Sequence, residues 1–215
     1  MTEGLIKYRK KFLEDWFDFN GLGMFFILCL VYFALLFVKK VFIIDSIAAF
    51  EILNERGDMW VFDIIYNIQY LSIPIFLTWK FVWTTLFLWI GCFMFGYRLH
   101  FNKLYKLVML LEIFFFLPEI LKIIWFTLFF SDPDYNDYMA FYPFSLINLV
   151  DYTQIEPNWH YPLKSLNIFE ILYWPLMILG VYFLSGKSLK ISTYIVSSSY
   201  ILFFLIWLIF YIIVY

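Results

Sequence analysis

Cysteine and histidine are nearly missing from this chain: Cys29, Cys92, His100 and His160 are the only ones in 215 residues. Both cysteines fall within long apolar runs, where a disulfide is not expected and a thiol serves as a small apolar core group. Two cysteines at that spacing exclude a cysteine-based zinc site, and neither histidine has a metal-like partner at helical spacing. No glycine-rich phosphate loop is present, and no serine, cysteine or histidine arrangement suggests a nucleophile. Charge is scarce as well. Only 15% of residues are Asp, Glu, Lys or Arg, against about 25% in soluble domains. The net charge of −2 gives no case for nucleic acid. These absences point to no cofactor, no metal and no catalytic residue, and so to a protein that is not an enzyme.

What the chain has is apolar mass. It is 64% hydrophobic with mean hydropathy +0.82, and the excess falls in blocks long enough to cross a bilayer. The class is an all-α, polytopic membrane helix bundle in a single membrane domain, 22–215, and its first partner is the lipid bilayer. Five spans are predicted, at about 22–44, 74–97, 105–130, 166–184 and 191–215. The 26% aromatic content fits membrane-interface belts. No small-residue cleavage site follows the first run, which reads as an uncleaved span. Before it, Leu5, Tyr8, Phe12, Leu13 and Trp16 recur at helical spacing among lysines, which predicts an interfacial amphipathic helix in 1–21.

Orientation follows the basic residues. With the N-terminus inside, the inner segments carry Lys7, Arg9, Lys10, Lys11, Arg98, Lys103, Lys106, Lys187 and Lys190. The outer segments carry only Lys39, Lys40, Arg56 and Lys164, and the loops 45–73 and 131–165 are acidic. That places the N-terminus in the cytoplasm and the C-terminus on the outer side; for a bacterial source the expected membrane is the cytoplasmic (inner) one. Residues 59–73 are read as an outer surface helix bending at Pro74, with an extra span as the alternative. In the loop 131–165 a short helix is expected near Ser145–Val150. Asp132, Asp134 and Asn136 begin like a calcium loop, but the pattern fails at Asp137 and Pro143.

The third span carries the costly residues: Glu112, Glu119 and Lys122. Glu112 and Glu119 lie two turns apart on nearly one line, with Lys122 on the adjacent face. Charge at that depth costs about 2.5–3.5 kcal/mol per residue or more. By depth, Lys80 and Glu170 join Glu119 and Lys122 in an outer-half quartet of two acids and two bases, leaving Glu112 without a basic partner. Such a cluster cross-links helices or forms a path for protons, ions or a charged solute. The last span carries Ser192, Thr193, Ser197, Ser198 and Ser199, a packing or partner-docking face.

Phe95, Gly96, Tyr97 and Arg98, then Phe101–Leu104, then Leu110, Leu111 and Glu112, and later Leu166–Trp174 followed by Lys187, together resemble the Yip-domain membrane family over about two-thirds of the chain. The resemblance implies five packed spans, a cytosolic N-terminus and a non-enzymatic organiser or adaptor. The leading expectation is a non-catalytic subunit or scaffold of a larger membrane or envelope assembly, with other membrane proteins as partners. The rival is a channel or transport component using Lys80, Glu112, Glu119, Lys122 and Glu170. A third reading, a lipid-modifying site at the outer loop, uses His160 with Asp151 or Glu156.

Overall fold

A computed structural model describes residues 19–47, 50, 56, 59–129, 134–186 and 188–215. The interfacial helix expected in 1–21 lies almost wholly outside them, as do Asp132 and Pro133. The described residues are mostly helical, with no β-strand, and four of the helices are long and apolar enough to cross a membrane: Gly21–Ile44, Trp60–Met94, Ile168–Ser185 and Leu189–Val214.

Helix α1, Gly21–Lys39, starts where the Asn20 side chain accepts from the amides of Leu22 and Gly23, satisfying donors that a first turn leaves free. A π turn, Lys40–Ile44, extends it. Helix α2, Trp60–Met94, is one continuous element of 35 residues through Pro74. The expected surface helix and the second span are therefore one continuous helix. The Thr78 hydroxyl bonds the Pro74 carbonyl, and Tyr70 stacks on Phe33 of α1 at 5.8 Å, bracing the segment around the proline.

The predicted third span is divided. Helix α3, Phe101–Glu112, and helix α4, Phe116–Leu128, meet at a 3-10 turn, Ile113–Phe115. Pro118 explains the break: it has no N–H for the Phe114 carbonyl, and its ring crowds that same carbonyl. Helix α5, Tyr135–Ala140, carries an Asp134/Asp137 capping box, so two residues of the calcium-like run close a helix start. The short helix expected near Ser145–Val150 is a 3-10 turn, Leu146–Leu149. Helix α6, Pro157–Ser165, opens on proline, where a missing N–H costs nothing. Helix α7, Ile168–Ser185, ends at Gly186 in the left-handed region, φ +63°. Helices α8, Leu189–Val196, and α9, Leu202–Val214, are joined by a π turn, Ser197–Ile201.

The core lies where α1, α2, α3, α7 and α8 meet, around Leu28, Phe81, Leu88, Cys92, Leu107, Tyr173, Met177 and Ile195. Both cysteines are free and buried there. Two glycines permit the closest crossings. A Cβ on Gly180 of α7 would lie 2.4 Å from Leu107 of α3, and one on Gly91 of α2 would lie 2.8 Å from Ser199. A smaller cluster, Ile44, Ile47, Phe50 and Tyr66, packs with Tyr138 at the loop end of the bundle.

Candidate functional site

The charges of the spans are brought inside, but not in the quartet expected from depth. Glu112, on the last turn of α3, is fully buried. Its Oε1 accepts from Lys80 Nζ of α2 at 2.8 Å and from the Tyr32 hydroxyl of α1 at 2.6 Å. The acid expected to lack a basic partner has one. Its Oε2 makes no hydrogen bond among the described residues. Lys80 also lies 4.2 Å above the Phe115 ring, on the 3-10 turn that follows Glu112. Cation–π attraction thus fixes the ammonium from one side and the carboxylate from the other.

Glu119 pairs elsewhere. Lys39, at the end of α1, reaches it at 2.6 Å, and both side chains are largely covered. The adjacent Lys40 pairs with Asp63 of α2 at 3.1 Å. Neighbouring lysines at the π turn therefore tie α1 to two different helices. Lys122 pairs with no acid among the described residues. It donates to the Tyr138 carbonyl of α5 at 2.7 Å and lies 4.0 Å from the Tyr138 ring. Glu170, in the first turn of α7, accepts from Trp174 at 3.1 Å and from the Tyr200 hydroxyl at 2.9 Å. Tyr173 and Tyr200 meet at 5.6 Å beside it. The quartet fails because depth alone says nothing of rotation about each helix axis, and because Lys39 is long enough to reach down to Glu119.

The serine face divides too. Ser192 and Ser199 are buried, Ser197 is half-buried, and Ser198 and Thr193 are exposed. The Ser199 hydroxyl bonds the Ile195 carbonyl at 2.6 Å, turning the residue's polarity inward while its small size admits α2.

Sequence reasoning missed Tyr32, Lys39, Tyr138, Trp174 and Tyr200 as partners. Trp174 was readable, since it lies four residues from Glu170 on one helix face. The others are long-range, with no local signal. In the outer loop, His160 stacks on Tyr152 at 4.0 Å and contacts its carbonyl. Asp151 instead closes its own turn, accepting from the Thr153 hydroxyl at 2.7 Å and the Thr153 amide at 3.0 Å. Those bonds hold its carboxyl below the ordinary aspartate range. The structure therefore does not join His160 to Asp151. Among the described residues no three of His, Cys, Asp or Glu converge on a point that could hold a metal. No protein-family model, curated protein or solved structure matches this chain.

Proposed function

We propose that this chain is a non-catalytic integral membrane subunit or scaffold of a larger membrane or envelope assembly. The observation that carries the reading is how its buried charges are used. Lys80–Glu112 joins α2 to α3, Lys39–Glu119 joins α1 to α4, and Glu170 is held by Trp174 and Tyr200. Opposite charges inside the bundle serve as ties between helices, and wide apolar faces stay open outside. The α3–α4 pair counts as a fifth span, with the N-terminus in the cytoplasm and the C-terminus outside. The Yip-domain resemblance points the same way, to a five-span adaptor. Affinity purification in mild detergent with mass spectrometry tests the reading. A stoichiometric membrane partner is the expected result, and a chain that purifies alone overturns it.

The second reading is a proton or ion path, favoured by one atom: Oε2 of Glu112, fully buried with no hydrogen-bond partner among the described residues. Flux into proteoliposomes that drops in Glu112→Gln supports this path. An absence of flux, or flux unchanged in both Glu112→Gln and Glu119→Gln, excludes it.

A further inference from the structure

Two buried acids share the middle of the bundle with one amine. Glu112 is fully buried, and Glu170 is more than nine-tenths buried. They stand on different helices, α3 and α7, and a line of rings joins them. Lys80 bonds Glu112 at 2.8 Å and lies 4.2 Å above the Phe115 ring. Phe115 meets Tyr173 at 4.8 Å, Tyr173 meets Tyr200 at 5.6 Å, and the Tyr200 hydroxyl bonds Glu170 at 2.9 Å. Among the described residues the charges that reach Glu170 are those of Lys80 and Glu112. The fields of both acids reach Tyr173, Tyr200 and Tyr142. Tyr32 of α1 completes the neighbours of Glu112, and Trp174 those of Glu170.

Phenols and indoles carry no charge at neutral pH. With both acids ionised, the cluster therefore holds one negative charge in excess of Lys80. Lys39 does not supply the balance, because it is paired with Glu119. A carboxyl buried without a balancing charge neutralises instead. The hydrogen bonds have the matching form. An ionised carboxylate accepts at both oxygens, whereas a carboxylic acid carries a hydrogen on one and accepts at the other. At Glu112 both donors, Lys80 and Tyr32, meet Oε1, and Oε2 is buried with no partner among the described residues. At Glu170 both side-chain donors, Trp174 and Tyr200, again meet Oε1. A metal cation would need several oxygen ligands. The groups bonded to these acids present an ammonium, two hydroxyl hydrogens and an indole N–H.

We propose that Glu112 and Glu170 hold one proton between them, so that together with Lys80 the cluster is neutral. One carboxylate takes up the proton as O–H, and no other bond changes. The inference starts from the same Oε2 as the ion-path reading. It describes a proton held at rest, so an absence of flux removes that reading and leaves this one standing.

Infrared spectroscopy of the full-length protein in liposomes at neutral pH tests this, through the C=O stretch of a protonated carboxyl and its downshift in D2O. Wild type is expected to show one such band. Glu112→Gln and Glu170→Gln each leave a single acid against Lys80. Each is therefore expected to abolish the band, although each removes only one of the two carboxyls. Glu119→Gln, outside the cluster, is expected to keep it. Glutamine nearly matches glutamate in shape, and unchanged helical circular dichroism identifies the variants that fold. A wild type without the band overturns the proposal with no variant needed. A band that survives in either Glu112→Gln or Glu170→Gln assigns the proton to one acid alone and overturns the sharing. A missing band together with greater thermal stability in sodium chloride than in choline chloride assigns the balancing charge to a metal cation, and overturns the proton.

Discussion

Lys80 and Lys122 each place an ammonium inside the bundle, and they are held in different ways. Lys80 meets a fully buried carboxylate, a ring and, through Glu112, a phenol. Among the described residues Lys122 meets a main-chain carbonyl and aromatic faces. The first arrangement joins two charges, so that neither can be lost alone. The second clips a loop helix onto a span, and its loss strands only a dipole. The middle of the bundle is therefore held by mutual dependence, and the loop end by one-sided contacts.

The largest effect should come from breaking the interior pair. Lys80→Met leaves Glu112 buried without its cation and is expected to cost about 3–5 kcal/mol, read as thermal unfolding in detergent. Adding Glu112→Gln should restore most of that loss, since the two residues act as one unit. Equal melting of wild type and Lys80→Met would remove the distinction between the two lysines. Next, Lys122→Met deprives the Tyr138 carbonyl of a charged donor, worth about 1.5–3 kcal/mol. The loss should appear as faster proteolysis within 134–150, while the bundle's own melting moves less. Asp63→Asn, which breaks the Lys40 pair, should cost no more than about 1 kcal/mol, because Asp63 is half exposed and such pairs contribute little. The smallest effect concerns the Asp151 turn. Its carboxyl is held down by Thr153, so the turn is fully stabilised above the ordinary aspartate value of about 3.9. That contribution fades as pH falls through the lowered value. The Thr153 amide resonance followed by NMR should titrate below that ordinary value, and Thr153→Val should move the midpoint upward.

Apolar runs and their flanks marked out most of the helices, because span length is imposed by bilayer thickness and needs no tertiary information. Gly186 and Asn20 end and start helices for reasons local to a few residues. The break at Pro118 was equally local, yet an unbroken apolar stretch hid it. Asp63, Asn67 and Gln69 marked 60–73 as a polar helical segment, and Pro74 does not part it from the span that follows. The charged side chains divided along another line. Of the five charged residues named from sequence, Glu112, Lys122 and Glu170 are buried, while Lys80 and Glu119 are only partly covered. Their partners depended on rotation about each axis and on side-chain reach. No local pattern foretold that Tyr32 would meet Glu112, or that Lys39 would reach Glu119 across 80 residues.

Helix α2 has one more consequence. Its 35 residues extend about 52 Å, whereas the hydrocarbon core of a bilayer is about 30 Å thick. Full immersion would require a tilt of about 55°, beyond the 0–40° that membrane helices adopt. One end must therefore stand clear of the hydrocarbon, and Asp63, Asn67 and Gln69 mark which end. Each ångström of added membrane thickness draws those polar side chains closer to lipid, together with the Lys40–Asp63 tie beside them. In a bilayer the length of this helix therefore decides that its Asp63 end meets water.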